Sequence, residues 1–322
     1  MMSTKISFDS QLSSGANDVV KATMVIGKKK VLESLLPNLS EKLGLEEETA
    51  QAVLEAIDGP SGAASTFVKK QKVVLGTIPD KVTRNNHPWS VHSITELVAG
   101  NLPKGLSRVI FAGDGATEYQ GALAAAVAKA FPVYSRKTKS KDDDDENGNG
   151  NDKEDSDPTN TRSIQISFWD DAGIVLDTKE DATIAALAAV EGVQLAARLV
   201  DTPPEELTTD VYAEECRQLA HQLEGVTMTE IVGEELNQKG YGGIYGVGRA
   251  ATSPPRLVIM EYTPPTSGGG GDDDGKTVAL VGKGVIYDTG GLSLKPKVGM
   301  CGMKFDMGGS AGKFILNYGL ID

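Results

Sequence analysis

Residues 277–296 read TVALVGKGVIYDTGGLSLKP, and this stretch decides the fold of the second half of the chain. Its first six residues, 277–282, are nearly all apolar, which predicts a strand that is covered on both faces of a sheet. Such a strand delivers Lys283 to its carboxyl end, where open α/β sheets place their ligands. Glycines flank the charged residues that follow, so the backbone can turn tightly there and a small ion or substrate can approach. The stretch therefore predicts an α/β domain with a ligand site at this edge.

Two aspartates follow Lys283 in this glycine-rich region, Asp288 and Asp306. Carboxylate oxygens are hard ligands for divalent cations, and one carboxylate can bridge two ions. The pair could also be helix caps or solvated loop residues, or could form plain ion pairs with nearby lysines. A mononuclear metal hydrolase that uses only these three residues is disfavoured, because three ligands including a lysine make a poor site. The residues alone leave a metal site and a structural role both open.

The residues from Val281 to Gly309 follow a long motif almost without gaps, V-G-K-G-x-x-x-D-T/S-G-G-x-S-x-K and then M-x-x-M-K-x-D-M-G-G. This motif resembles that of the leucyl aminopeptidase family of dinuclear metallo-exopeptidases, M17. The likeness extends to residues 201–220 and 240–262, which are most similar to the aminopeptidase-like 1 branch of that family. The first 170 residues resemble the family only in their α/β layout.

The resemblance implies a role for each of five side chains. Lys283 would bind one metal through an uncharged amine, Asp288 would bridge both metals, and Asp306 would complete the tighter site. Lys295 would be the catalytic electrophile that polarises the scissile carbonyl and stabilises the oxyanion. Met303 would line the pocket for an apolar, leucine-like first residue, although a methionine in such a stretch is as often a plain core residue.

The implied protein is a cytoplasmic metallo-aminopeptidase that removes amino-terminal residues from peptides. The resemblance also implies two divalent metal ions (zinc, manganese or magnesium) and a homo-hexamer for the full-length protein. The sequence begins without an apolar signal segment and has no uninterrupted run of 18 apolar residues, so we expect no membrane span. The formal net charge of -13 makes nucleic acid an unfavourable partner.

The patterning predicts two α/β domains, at residues 1–178 and 179–322. In the first domain, apolar runs alternate with helical patterns, and a hairpin closes the domain. The apolar runs are residues 22–26, 73–78 and 109–112. The helices are predicted at about 44–57 and 118–130, and the hairpin at 164–176. An acidic insert at about 137–162 predicts a disordered segment, because it has no large apolar residue to bury around its run of aspartates. A long helix at about 182–200 bridges the domains.

The second domain is predicted to begin as a mixed or parallel sheet. The pattern indicates a helix at about 208–223, a short helix ending at Gly240, and strands at 226–232, 256–263 and 277–282. We therefore expect an amino-terminal α/β domain that a long helix joins to part of a mixed-sheet metallopeptidase domain.

The family's second ligand motif, Asn-Thr-Asp-Ala-Glu-Gly-Arg, occurs nowhere in the 322 residues. We therefore expect a truncated catalytic domain whose strand at 277–282 leaves an apolar edge unpaired, making the polypeptide unstable or aggregated. The motif match stops before residues 313–322, and Gly-Lys-Phe can be encoded with the intron start GTAAGT, so these ten residues are hypothesised to be translated intron. The alternative is a genuine short, catalytically inactive paralogue that acts as a binding or interaction module. Sequencing the spliced transcript across this point separates the two.

Other motifs in the sequence are weaker candidates for a functional site. Residues 270–277 fit the P-loop pattern, but a strand rather than a helix is predicted to follow and three aspartates would meet the phosphates. The three histidines, His87, His92 and His221, lack a metal-binding spacing. The two cysteines, Cys216 and Cys301, form neither a disulfide framework nor a thiolate zinc site. Ser293 lacks the G-x-S-x-G elbow of a serine hydrolase.

Overall fold

The computed structural model describes residues 4–9, 19–83, 88–131, 133–134, 162–263 and 277–318. The chain divides into two compact units, residues 1–194 and 195–322. The predicted acidic insert lies outside the described residues apart from Arg162, and so do residues 270–276 of the P-loop-like stretch.

The described part of the first unit forms one seven-stranded sheet with helices between its strands. In chain order the elements are β1 (Thr4–Phe8), β2 (Ala22–Lys28), α1 (Lys29–Leu43), α2 (Glu47–Glu55), β3 (Gly62–Val68), β4 (Gln71–Ile78), α3 (Val91–Asn101), β5 (Gly105–Ala112), α4 (Gln120–Lys129), β6 (Arg162–Trp169) and β7 (Val175–Leu176). The strand order is β1-β6-β5-β2-β4-β3, with β7 paired to β6. Neighbouring strands are parallel except for β3 with β4 and β7 with β6, which confirms the predicted α/β class.

Helices cover both faces of this sheet because its central strands are apolar on both sides. Met24 and Phe111 are buried in a core with residues of α3 and α4. Val25, Ile110 and Trp169 are buried in a second core with residues of α1 and α2. Successive side chains of a strand point to opposite faces, so continuous apolar runs such as β2 supply both cores. The predicted strands at 22–26, 73–78 and 109–112 are thereby confirmed.

The predicted hairpin at 164–176 is also confirmed, since β6 and β7 pair antiparallel. In its turn, Asp170 Oδ1 accepts hydrogen bonds from the backbone N–H groups of Ala172 at 2.9 Å and Ile174 at 2.7 Å. This use of an aspartate is typical of turns, because its short side chain caps backbone groups two to four residues ahead.

The long helix α5 (Glu180–Asp201) follows, close to its predicted bounds. Among the described residues, α5 alone has the length and apolar composition of a helix that could cross a membrane. Some of its apolar side chains are nevertheless buried in protein cores, Ala186 and Val190 in the first unit and Leu199 in the second.

The second unit has a small core of its own. After α5 its elements are α6 (Thr209–Gln222), β8 (Val226–Val232), α7 (Glu234–Gln238), α8 (Gly242–Gly248), β9 (Arg256–Tyr262), α9 (Lys297–Met300), a 3-10 helix (Met303–Met307) and α10 (Gly308–Tyr318). The core gathers Leu199, Cys216, Leu219, Met307 and Ala311. The predicted helix at 208–223 and the strands at 226–232 and 256–263 are confirmed.

One prediction for the second unit is wrong. Residues 277–282 do not form a strand, and Val278 and Val281 are 81% and 88% exposed. The strands that the described residues of this unit do form, β8 and β9, pair antiparallel. An apolar run becomes a strand only where a neighbouring strand takes its backbone hydrogen bonds, and β9 pairs with β8. An exposed apolar segment therefore replaces the expected strand edge, and the instability of the polypeptide stays a prediction.

Candidate active site

The predicted site residues lie on one stretch of the second unit, residues 283–306. Lys283 follows the extended segment 277–282, and Lys295 comes just before α9. The 3-10 helix carries Met303 and Asp306. Short helical turns thus separate loops in which glycines allow backbone segments to approach each other closely.

A tight turn brings Lys295 back beside Asp288. Asp288 Oδ1 accepts a hydrogen bond from the Gly290 N–H at 2.9 Å, and the Lys295 N–H donates to the Thr289 carbonyl at 2.9 Å. Gly290 has φ +87°, and a Cβ there would lie 2.5 Å from the Ser293 carbonyl oxygen. Only glycine fits this position, because an L side chain would be strained both by the backbone angle and by the contact.

Two lysine–aspartate pairs form the centre of the site. Lys283 Nζ lies 2.7 Å from Asp306 Oδ2, and Lys295 Nζ lies 2.7 Å from Asp288 Oδ2. Lys295 Nζ also lies 3.0 Å from the sulfur of Met303. The structure thus joins four of the five predicted residues in two ion pairs, with Met303 half-buried beside Lys295 and outside the core.

The backbone of Lys283 rests directly on the start of α10. The Ser310 N–H donates to the Lys283 carbonyl at 2.8 Å. A Cβ at Gly282 would lie 2.6 Å from both the Gly309 carbonyl oxygen and the Ser310 Cα. Since these are backbone atoms, a side chain at Gly282 could not be accommodated by rotating a neighbour. The absence of a Cβ here lets Lys283 reach Asp306.

The ion pairs shift the pKa values of Lys283 and Asp288. The hydrogen bond to Asp306 raises the pKa of Lys283 above its ordinary value of 10.5. The hydrogen bond from Lys295, with the Gly290 N–H second, lowers the pKa of Asp288 below its ordinary value of 3.8. Both groups are open to solvent, so screening limits what these pairs contribute to stability.

Replacing Lys295 by methionine is expected to raise the pKa of Asp288 in the metal-free protein toward 3.8, because the strongest hydrogen bond to its carboxylate is lost. An ion pair that lowers the pKa of a carboxyl group stabilises the fold fully at pH values above the ordinary pKa of that group. This contribution is lost as the pH falls through the lowered pKa. A carboxyl-carbon NMR titration measures the shift. The Lys297→Met variant removes a neighbouring exposed lysine and should leave the Asp288 titration unchanged; an equal shift in both variants would contradict the pairing.

The donor set fits part of a divalent-metal site. It offers two carboxylates and one lysine amine, and carboxylate oxygens suit zinc, manganese and magnesium. The lysine can ligate only as a neutral amine, which the positive charge of a bound cation favours. The described residues hold no cluster of three or more His, Cys, Asp or Glu side chains. Lys283, Asp288 and Asp306 therefore fit as a partial ligand set that needs further donors to hold two ions.

None of the weaker candidates that the structure describes takes part in the two lysine–aspartate pairs. His92 lies on α3 next to Glu96, with its Nε2 3.3 Å from Glu96 Oε1, and His221 lies on α6. Burial raises the pKa of the Cys216 thiol to about 12, so this cysteine is a core residue and a poor nucleophile. Cys301 is free and exposed. His87 lies outside the described residues.

Sequence analysis missed two residues that contact the site's framework. Lys304 Nζ donates to the main-chain carbonyl of Asp201 at 2.8 Å. The Tyr212 hydroxyl donates to Ser310 Oγ at 3.2 Å, and Ser310 Oγ donates to the Met307 carbonyl at 2.7 Å. Lys304 belongs to the quoted motif, but the motif does not indicate its contact, because its partner Asp201 lies 103 residues away in the sequence.

Comparison with known families gives two matches. Residues 194–318 match the catalytic domain of the cytosol aminopeptidase family. Residues 21–140 match the M17 aminopeptidase N-terminal domain 2. The likeness therefore reaches well into the first unit, where the sequence alone suggested similarity only of layout.

Curated relatives and solved structures give the same result. The chain is 39% identical to the probable aminopeptidase NPEPL1 of Mus musculus over 269 residues, covering 82% of this chain and 46% of that protein. It is 33% identical to leucine aminopeptidase 1 of Caenorhabditis elegans, covering 92% and 54%. The solved leucyl aminopeptidase of Leishmania major in complex with actinonin superposes with a TM-score of 0.75 at 30% identity, covering 99% of this chain and 57% of that one. The chain spans about half the length of the curated relatives it matches.

Proposed function

The chain belongs to the M17 family of cytosol aminopeptidases, and from this we propose that it carries part of a dinuclear metal site that removes amino-terminal residues from peptides. The observation that carries the proposal is the pairing of Lys283 with Asp306 and of Lys295 with Asp288. In each pair the lysine Nζ lies 2.7 Å from an aspartate Oδ2, and all four residues belong to the motif that matches the family. Structural ion pairs alone would not require the glycines that let these groups approach.

Lys283, Asp288 and Asp306 would hold the metal, with Asp288 shared between two divalent ions. Such ions, whether zinc, manganese or magnesium, supply a Lewis acid and a water of lowered pKa. The 322-residue sequence lacks the family's Asn-Thr-Asp-Ala-Glu-Gly-Arg motif, so its own residues offer only part of the ligand set. The proposal accordingly concerns the longest natural polypeptide that contains this sequence.

Lys295 would act on the peptide as a hydrogen-bond donor. A lysine ammonium has three protons, and in this structure Asp288 and Met303 take two of its contacts. The third is free to donate to the carbonyl oxygen of the scissile bond, where negative charge develops as the carbonyl carbon becomes tetrahedral. Asp288 holds the ammonium in place through the 2.7 Å contact.

Met303 would contact the side chain of the first peptide residue. Its sulfur touches Lys295 Nζ at 3.0 Å, so a residue whose carbonyl meets Lys295 lies within reach of this flexible apolar side chain. This supports a preference for leucine-like first residues. By the same family membership we propose a cytoplasmic homo-hexamer.

Hydrolysis of a leucyl aminocoumarin by that longest polypeptide tests the function. We expect activity with Mn²⁺ or Zn²⁺ that a chelator abolishes and added metal restores, and a loss of about a hundredfold or more in Asp288→Asn. Asp58→Asn changes an exposed aspartate of the first unit and should retain activity. A folded protein that lacks hydrolysis with every metal would contradict the proposal and point to the inactive binding module instead.

A further inference from the structure

The 3-10 helix Met303–Met307 has a side that faces the candidate site. Residues three apart eclipse in a 3-10 helix, so Met303 and Asp306 share one side. Met303 contacts Lys295, and Asp306 pairs with Lys283. The rotation of this one short helix therefore decides whether a ligand and a substrate-contacting side chain are both presented to the two lysines.

A second side of the same helix, about 120° around its axis, carries its anchors. Lys304 and Met307 are again three apart, and Met307 is buried with 1% exposure in the core of the second unit. Lys304 Nζ donates to the carbonyl of Asp201, the last residue of α5, at 2.8 Å, and lies 3.8 Å from Asp201 Oδ1. One buried residue alone fixes the place of the helix but leaves its rotation less constrained. A second attachment on the same side fixes both.

The acceptor of this hydrogen bond, the Asp201 carbonyl, lies at the carboxyl end of a helix. The last carbonyls of a helix have no intrahelical partner, and the helix dipole makes them favourable acceptors for a cation. Lys304 and Asp201 are 33% and 38% exposed, so solvent screens the carboxylate contact in part. The bond to the main-chain carbonyl is directional, and α5 is a 22-residue helix that supplies a rigid support.

We propose that Lys304 is a positioning residue, which locks the rotation of the 3-10 helix against the end of α5 so that Asp306 and Met303 face Lys283 and Lys295. The inference rests on the proposed function, since Lys304 itself touches neither metal nor substrate and acts through Asp306 and Met303. A merely structural ion pair would change the melting temperature without changing the affinity of the site for metal.

The test compares Lys304→Met with Lys297→Met in the purified longest natural polypeptide that contains this sequence. Both variants remove one lysine charge near the site and keep an unbranched side chain, but Lys297 lies exposed on α9, away from the contact with Asp201. The electron spin resonance signal of free Mn²⁺ measures how much of the ion is bound. Only the amount bound in excess of that bound by the Asp306→Asn variant is counted. We expect about tenfold weaker binding in Lys304→Met and a change under about twofold in Lys297→Met.

Hydrogen exchange gives a readout that needs no metal. Backbone amides of residues 303–307 should exchange about tenfold faster in Lys304→Met and at the original rate in Lys297→Met. Equal exchange in the two variants and the unaltered chain overturns the proposal, and so does an equal loss of Mn²⁺ affinity in both variants. If Lys304→Met does not fold, Lys304→Arg keeps a charged donor and should bind Mn²⁺ within about threefold of the unaltered chain; a larger loss counts against the proposal.

The failure of the proposed function would look different. In that case the unaltered chain binds no more Mn²⁺ than Asp306→Asn, and the metal site is rejected. The exchange rates then decide the role of Lys304 alone, with faster exchange only in Lys304→Met supporting it and equal rates overturning it.

Discussion

Replacing Gly282 by alanine is expected to destabilise the second unit by about 1–3 kcal/mol and to separate Lys283 from Asp306. The new Cβ would lie 2.6 Å from the Gly309 carbonyl oxygen and 2.6 Å from the Ser310 Cα. Real Cβ atoms do not approach other heavy atoms this closely, so the segment before Lys283 must move away from the start of α10. That movement stretches the hydrogen bond from the Ser310 N–H to the Lys283 carbonyl.

Urea unfolding of the purified chain, followed by circular dichroism, measures this effect. Gly312→Ala is the matched control, because Gly312 lies exposed within α10 and a Cβ there would meet nothing within 4 Å. Alanine at such a helical position should raise stability by about 0.5–1 kcal/mol. If Gly282→Ala unfolds at the same urea concentration as the unaltered chain, the close approach of the two backbone segments is wrong.

The first unit shows how far hydrophobic patterning carries a prediction. β2 and β5 are continuous apolar runs, and their burial on both faces follows from that pattern alone. The helix α1 was not predicted, although Leu32, Leu35, Leu36 and Leu39 recur at helical spacing and are all buried. Pro37 lies inside this helix, where a proline disfavours helical structure, but tertiary packing of the leucines outweighs its cost.

The second unit shows where patterning fails. Residues 277–282 are as apolar as β5, yet they form no strand. Strand formation depends on a partner that takes the backbone hydrogen bonds, and a local pattern does not contain that information. β8 and β9 form strands because each takes the backbone hydrogen bonds of the other, in an antiparallel register that runs from Val226 with Tyr262 to Val232 with Arg256.

For the candidate site, the motif predicted which residues matter but not how they pair. The spacing singled out Lys283, Asp288, Lys295 and Asp306 together. Which lysine meets which aspartate depends on the turn at Gly290 and on the 3-10 helix, so Lys295 reaches back seven residues and Lys283 reaches forward 23. These contacts follow from local backbone geometry that a list of residue types does not specify.

Replacing Lys295 by alanine in the longest natural polypeptide should lower kcat/KM for a leucyl amide by about a hundred- to a thousandfold. The loss follows from removing the donor that would meet the carbonyl oxygen, since Lys295 Nζ already lies beside Met303 at 3.0 Å and is held by Asp288 at 2.7 Å. Lys297→Ala removes the next lysine along the chain, which is exposed on α9, and should leave turnover within about twofold.

The same substitution also frees the Asp288 carboxylate, so two effects must be separated. The loss of a carbonyl donor lowers kcat at saturating metal, whereas a disturbed ligand changes the metal concentration that gives half-maximal rate. We expect the first effect to dominate, because Asp288 keeps its hydrogen bond from the Gly290 N–H at 2.9 Å and stays in place without Lys295. Unchanged turnover of Lys295→Ala would remove Lys295 from the mechanism and leave it as the ion-pair partner of Asp288. A loss that excess metal fully restores would assign Lys295 to holding the ligand and not to the carbonyl.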